Sequence, residues 1–309
     1  MRIIYAATPD FAVPALKSII KTKNDIVLII TQPDKANARG NKIVFSAVKQ
    51  AGIENNIEIF QPDNINSSQS LDIIKSCNPD LLITAAYGQI LKQELLNIPK
   101  YGCVNIHASL LPKYRGAAPI NRAIINGESV SGITIMKMDR GMDTGDIIIQ
   151  KEIFIDDNMT AGQLHDELAL LGASMIEEFL CDVKGYLSKA KKQDNTLASI
   201  AGKITKEELF INFNDDCVNI NNKIRGLSPY PAARCYIDGK ILKIYESEIL
   251  GETFNNKAGD IIYFDKVNGF VVKTNDKGLK LKKVQLEGKK ELTDKQFIIG
   301  YNLESKFLS

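Results

Sequence analysis

The chain is poor in the features that most often announce chemistry. It holds two histidines, His107 and His165, and five cysteines, Cys77, Cys103, Cys181, Cys217 and Cys235, at wide spacing with no Cys-x-x-Cys. An odd number of scattered cysteines offers neither a disulfide framework nor a zinc site, and it fits reduced thiols in a cytoplasmic protein. No apolar run approaches the roughly 20 residues that a membrane-spanning helix needs. The run after Arg2 covers only Ile3 to Ala7 before Thr8-Pro9, too short for a signal-peptide core and right for a first strand. The turn after that strand reads Ala6-Ala-Thr8-Pro9-Asp10 and lacks the Gly-x-Gly-x-x-Gly that lets backbone approach a pyrophosphate. Hydride transfer with a nicotinamide is therefore not expected. There is no Gly-x-Ser-x-Gly elbow and no Cys beside a His, so an activated nucleophile is missing as well.

What is present suits a two-domain protein, since 309 residues are long for one core. Charge divides unevenly: from residue 203 onward there are 18 Lys and Arg against 15 Asp and Glu, which leaves 21 against 22 before it. The second part is the basic one, by a margin too small to imply nucleic acid unless the charges share a face.

Short apolar runs alternate with helical patterns through the first part. Strands are expected at Arg2 to Ala7, Ile26 to Thr31, Ile57 to Gln61, Leu81 to Ala86, Cys103 to His107, Ile133 to Asp139 and Ile147 to Ile155. Asp10 is expected to cap a helix with Pro14 in its first turn, and leucines and other apolar residues at helical spacing predict a long helix from Thr160 to about Tyr186. This alternation predicts an α/β fold, a Rossmann-like, doubly wound and mostly parallel sheet over residues 1–187, with ligands beyond the carboxyl ends of the strands. Residues 188–204 lack periodicity and read as a linker. In 205–309 an amphipathic stretch near Val218 to Leu227 precedes five short strands separated by Asp238-Gly239, Asn268-Gly269 and Asp276-Lys-Gly278. That pattern suits a small β-barrel of the oligonucleotide-binding type.

The stretch richest in chemistry is Asn105-Ile-His107-Ala-Ser109-Leu110-Leu111-Pro112-Lys-Tyr-Arg-Gly116, followed by Gly141-Met-Asp143-Thr-Gly-Asp146. Strand alternation aims Asn105 and His107 at one face at a strand end. An amide and an imidazole are both donors that could hold the oxyanion of a tetrahedral intermediate, each such donor supplying about 10²–10³ in rate. A carboxylate at Asp143 would orient the imidazole, favour its charged form and help take a proton from an attacking amine. The neighbouring Asp139 and Asp146 are equally suited to turns beside Gly141 and Gly145. His165, inside the long helix, reads as a solvated or flanking residue.

These residues resemble the signature of the 10-formyltetrahydrofolate-dependent formyltransferases. Further matches are Ala6 to Phe11, Thr31-Gln-Pro33-Asp34 with Arg39-Gly40, Ala86-Tyr87-Gly88-Gln89-Ile90-Leu91, Arg115 to Pro119 and, late in the chain, Ile224-Arg-Gly-Leu-Ser-Pro229-Tyr-Pro231. The resemblance runs nearly end to end. It implies that Asn105, His107 and Asp143 catalyse formyl transfer without a metal. It also implies that Ser109, Leu110, Leu111 and Pro112 with Tyr87, Gly88, Gln89 and Ile90 contact the folate, which is a substrate, 10-formyltetrahydrofolate. The acceptor implied is methionine carried by an initiator tRNA, with Lys35, Arg39 and Lys42 in a loop that meets the acceptor end and the basic second domain gripping the phosphate backbone. A cytoplasmic monomer with no membrane contact and no obligate protein partner is expected.

Departures are local. Ala7 stands where the family usually has Gly, Tyr230 where it often has Trp, and the loop after Asp34 reads Lys-Ala-Asn37-Ala38-Arg-Gly-Asn-Lys42 where the family has Pro-Ala-Gly-Arg-Gly-Lys-Lys. Rival readings are a sugar-nucleotide or glycinamide-ribonucleotide formyltransferase, which would share the three catalytic residues, and a non-catalytic RNA-binding protein that uses the barrel alone. The second domain counts against the glycinamide enzyme. Thr8 to Phe11 and Arg39-Gly40 count against the sugar-nucleotide enzyme, and the intact trio counts against the binding protein.

Overall fold

The structure is a computed structural model that describes residues 1–36, 43–304 and 306–309. The chain forms two compact units. The first comprises Met1–Gly116, Ser131–Ile153 and His165–Ile200, and the second Ala117–Val130, Phe154–Leu164 and Ala201–Ser309.

The first unit is built on a seven-stranded sheet. Its strands are β1 (Arg2–Ala7), β2 (Asp25–Ile30), β3 (Ile59–Phe60), β4 (Leu81–Ala85), β5 (Cys103–His107), β6 (Val130–Lys137) and β7 (Ile147–Phe154), in the order β7-β6-β5-β4-β1-β2-β3. The pairs β1–β2, β1–β4, β4–β5 and β2–β3 are parallel, and β5–β6 is antiparallel. The chain begins near the middle of this sheet and winds outward in both directions, which is the doubly wound plan. β1 from Ile3 and the whole of β4 are buried, as continuous apolar runs covered on both faces should be. Ala86-Tyr87-Gly88 and His107 fall at the carboxyl ends of adjacent strands, where such sheets place their ligands.

Two local expectations change. Asp10 opens a short 3-10 turn, Asp10–Ala12, and the helix proper is Val13–Lys21 with Pro14 in its first turn and no side-chain cap. The long helix runs Ala161–Cys181 and breaks at Asp182, whose carboxylate accepts from Gly185 N–H and starts a separate helix, Val183–Ser188. None of the helices among the described residues is long and apolar enough to cross a membrane.

The division of the chain is less simple than one cut near residue 187. Segments 117–130 and 154–164 belong with the C-terminal body because polar side chains tie them there. Arg122 bonds both carboxylate oxygens of Glu208, at 2.6 and 3.0 Å, and Asn121 donates to the Gly226 carbonyl. The half-buried Arg225 guanidinium donates to the carbonyls of Asp156 and Met159. A Cβ at Gly226 would lie 2.6 Å from Ile125 and 3.0 Å from its backbone nitrogen, so glycine is required for helix Cys217–Leu227 to approach helix Pro119–Ile125. The Ile-Arg-Gly-Leu-Ser-Pro segment is thus a packing motif of the second unit.

That unit carries an antiparallel sheet of β8 (Ala233–Ile237), β9 (Lys240–Ile249), β10 (Ile261–Asp265), β11 (Gly269–Lys273) and β12 (Gly278–Leu286), ordered β8-β9-β12-β11-β10, with Leu292–Thr293 added beside β12. Its inward residues, among them Ile237, Leu242, Phe270, Leu279 and Leu281, make one apolar core with Ile220, Ile224 and Leu227 of the helix. The edge strands β8 and β10 are bridged by the last residues. Tyr236 and Ser309 exchange backbone hydrogen bonds, Leu308 N–H donates to Gly259 and Ile261 N–H to Lys306, with Leu308 fully buried. This segment closes the sheet into the small barrel that turn spacing predicts.

Residues 191–199, expected to be linker, are bonded within the first unit. Lys191 and Ile147 exchange backbone hydrogen bonds at 2.8 Å, and Arg115 N–H donates to Ser199 at 2.9 Å. Backbone hydrogen bonds hold this strap down, so hydrophobic periodicity gives no sign of it.

The Arg122–Glu208 pair has a pH signature. Hydrogen bonding to Arg122, with help from Thr205, holds the Glu208 carboxyl down to about 2. A carboxyl lowered on folding stabilises the native state above its ordinary value of 4.5 and loses that effect as pH falls toward about 2. Glu208→Gln is therefore expected to lower the unfolding midpoint at pH 7, and the gap to the natural protein should close as the measurement is repeated at falling pH.

Candidate active site

The trio Asn105, His107 and Asp143 comes together from two kinds of element. Asn105 and His107 stand on β5, in register with Met136 and Thr134 of β6, and Asn105 is also in register with Thr84 of β4. Two residues apart, they share a face of a rigid, interior strand. His107 is 6% exposed. Its Nε2 lies 2.9 Å from the Tyr114 carbonyl, which can only accept, so Nε2 carries a hydrogen and Nδ1 is the nitrogen that faces Asp143, at 3.6 Å.

Asp143 arrives on the turn after β6. The turn is shaped by Asp139, whose Oδ1 accepts from Gly141 N–H and Thr144 Oγ1, and by Gly145, where a Cβ would sit 1.7 Å from the Lys137 carbonyl. Only glycine lets the turn lie this close to the end of β6. Asp139 is therefore a turn residue, and of the three nearby aspartates it is Asp143 that reaches the histidine. Gly116, with φ of +118°, aims its N–H at Asp143 Oδ2 at 2.9 Å. Asp143 Oδ1 faces both Asn105 Nδ2, at 3.5 Å, and His107 Nδ1. These two contacts are at the long end of hydrogen bonding. The carboxylate is anchored by Gly116, while Asn105 Nδ2 and His107 Nδ1 make only these long contacts to it.

Thr84 decides which end of the Asn105 amide faces the carboxylate. Its hydroxyl donates to Asn105 Oδ1 at 2.8 Å, leaving Nδ2 toward Asp143. Thr84 and Tyr114 are contacts that motif reading missed; Thr84 is the one polar residue in the apolar run of β4, and its bond to Asn105 is visible only once β4 is paired with β5.

Around the trio, the Ser109-to-Pro112 segment is held by buried polar atoms. Ser109 Oγ donates to the Lys113 carbonyl, Thr134 Oγ1 donates to Ser109 O and accepts from Leu111 N–H, and Gln150 donates to Leu111 O and Thr134 Oγ1. Leu111 is buried and Leu110 and Pro112 are half-buried. On the neighbouring strand end Gly88 and Ile90 are exposed, and Gln89 is spent on Ile65 N–H and the Pro62 carbonyl. The Tyr87 ring lies in the apolar core with Leu28, Ile30 and Leu91, burial pushing its phenol well up, and its carbonyl accepts from Thr8 Oγ1 at 3.1 Å and Gln32 Nε2 at 3.2 Å. Cys103, at the start of β5, is pushed up to about 12 by burial and is not a thiolate nucleophile. His165 sits apart, edge-on to Phe11 and beside Asp10 and Asp166. Among the described residues no three His, Cys, Asp or Glu side chains are grouped to hold a metal ion.

Of the three basic residues expected to meet nucleic acid, Arg39 and Lys42 lie outside the described residues. Lys35 is in a two-residue strand, Lys35–Ala36, paired antiparallel with Ile43–Val44. The base of this ribbon is pinned by an ion pair of Asp34 with Lys49 and by a Gln61 hydrogen bond to Asp34, which together hold the Asp34 carboxyl below its usual range.

Residues 1–180 match the family described as formyl transferase, and residues 203–302 its C-terminal domain. The chain belongs to the formyl transferase family. A methionyl-tRNA formyltransferase from Clostridium beijerinckii is 44% identical, covering 100% of this chain and 99% of its own length. Another from Acetivibrio thermocellus is 42% identical over 98% and 97%. Among solved structures, WlaRD, a sugar 3N-formyl transferase determined with dTDP and 5-N-formyl-THF, is similar with a TM-score of 0.66 and 25% identity, covering 94% of this chain and 99% of that one.

In this formyltransferase Thr84→Val keeps the shape of the side chain and removes its hydroxyl. It is expected to lower kcat for formyl transfer roughly 3- to 10-fold, the value of one hydrogen bond, with KM nearly unchanged. Steady-state kinetics on the folded variant check this.

Proposed function

We propose that this enzyme transfers the formyl group of 10-formyltetrahydrofolate to the α-amino group of methionine esterified to initiator tRNA. The observation that carries the reading is the convergence of Asn105, His107 and Asp143 at a strand end. The full-length likeness to methionyl-tRNA formyltransferases supports the choice of acceptor.

In this reaction the free amine attacks the formyl carbon. A C–N bond forms, the carbonyl becomes an oxyanion, the amine loses a proton, and collapse breaks the bond to folate N10, which takes a proton. Asn105 Nδ2–H and, with the ring protonated, His107 Nδ1–H are the donors for the oxyanion, worth most in the transition state. Asp143 aligns His107 through Nδ1 and helps accept the amine's proton. The folate lies against residues 87–90, of which Gly88 and Ile90 are exposed, and the Ser109–Pro112 segment, an apolar setting with a few fixed polar groups. Arg39, with Lys35 and Lys42, positions the acceptor end of the tRNA, and the more basic stretch from residue 203 onward supplies salt-sensitive phosphate contacts.

His107→Ala or Asn105→Ala is expected to lower kcat by roughly 10²–10³ with smaller changes in KM. Asp143→Asn should abolish most activity while tRNA binding survives. The deciding assay offers charged initiator tRNA, free methionine and an amino-sugar nucleotide as alternative acceptors with 10-formyltetrahydrofolate. Formylation of the tRNA is the expected result, and formylation of the sugar nucleotide alone would replace the reading with that of a sugar formyltransferase.

Arg39→Ala should reduce kcat/KM toward initiator tRNA at both low and high salt. A loss that vanishes at high salt, where exposed charges are screened, would reduce Arg39 to a surface charge.

A further inference from the structure

Behind Asp143 lies a set of polar contacts that the chemistry above leaves unused. Asp143 has φ of +55° and Tyr114, whose carbonyl takes the His107 N–H, has φ of +60°. Residues with a Cβ hold this left-handed conformation where their surroundings impose it. One short piece of chain clasps both. Gln193 Nε2 donates to the Asp143 carbonyl at 2.9 Å and to the Gly145 carbonyl at 2.7 Å. Gln193 Oε1 accepts from Arg115 Nε at 3.1 Å and Nη2 at 2.7 Å, and Nη2 also reaches Asn195. Six residues on, Ser199 Oγ accepts from Tyr114 N–H at 2.9 Å.

The partners dictate the residue type. Two carbonyl oxygens demand a donor at one end of the side chain, and two guanidinium N–H groups demand an acceptor at the other. Glutamine meets both. Glutamate would turn an oxygen toward two carbonyls, and alanine would leave the buried Arg115 fork and both carbonyls without this partner.

We propose that Gln193 is a positioning residue for formyl transfer, an inference that rests on the role given to Asp143 above. Its amide ties the carbonyls on either side of Thr144 to the Arg115 fork, and so fixes the distance of the Asp143 carboxylate from His107. Ser199 serves the same end through Tyr114. The strap 191–199 is thereby part of the active site's frame, and it leads at Ala201 into the second unit.

The test uses the full-length enzyme with 10-formyltetrahydrofolate and charged initiator tRNA. Gln193→Ala and Gln193→Glu are both expected to lower kcat roughly 10- to 100-fold, the order of a 1 Å misplacement, with KM for either substrate changed less than about twofold. The Glu variant keeps the Arg115 bonds, so an equal loss assigns the effect to the carbonyl contacts and not to packing. In an Asp143→Asn background, Gln193→Ala should cost almost nothing more. Ser199→Ala is an arm that does not depend on the Gln193 variants folding: kcat should fall several-fold with KM unchanged. Wild-type kcat in Gln193→Glu, or a full multiplicative loss in the Asp143→Asn background, overturns the proposal. A fully active Asp143→Asn would instead overturn the reading beneath it.

Discussion

A carboxylate on a turn has to be held against an imidazole on a strand, and the rest of the active-site region is arranged around that mismatch. His107 and Asn105 are fixed at little cost, because β5 is an interior strand paired on both sides. Asp143 has no such lattice. Its position comes from a glycine-dependent turn, from Gly116 N–H on its carboxylate and from Gln193 on its backbone carbonyl. The outcome is a pair of donors with long contacts to Asp143 Oδ1 and therefore with spare capacity. In the proposed reaction an oxyanion forming between them would meet donors already in place, the condition under which such donors act most strongly.

The fold was largely legible in the sequence, for a physical reason. Parallel strands buried on both faces must be nearly continuous apolar runs, and Ile3 to Ala7 and Leu81 to Ala85, with Thr84 its one polar residue, are that kind of run. Turn dipeptides such as Asp238-Gly239 likewise mark the strands of the barrel. What periodicity could not carry is the assignment of 117–130 and 154–164 to the second unit. Those segments are tied by Arg122, Asn121 and Arg225, and polar side chains binding distant carbonyls leave no repeat in the sequence. The closing segment at 306–309 leaves no repeat either, its bonds being backbone to backbone.

The site divides along a similar line. Asn105, His107 and Asp143 could be named because amide, imidazole and carboxylate are chemically distinctive in a chain with two histidines, and the structure brings them together. Their supporting groups could not. Thr84, Tyr114, Gln193 and Ser199 are ordinary residues whose significance is a matter of which carbonyl or N–H they meet. Residues 188–204 read as linker because Gln193, Asn195 and Ser199 have no hydrophobic rhythm, yet the hydrogen bonds of these three side chains make this stretch the frame of the turn and of β5's exit loop. Tyr87 shows the opposite failing: an aromatic in a ligand-contact motif whose ring belongs to the core.

The central claim is that His107 and Asp143 act as one unit. The most direct measurement is a double-mutant cycle on kcat for formylation of charged initiator tRNA, with His107→Ala, Asp143→Asn and the pair. If the carboxylate works through the imidazole, the double variant is no slower than the worse of the single variants. Losses that multiply in the double variant would mean that the two residues act independently, and would contradict the account.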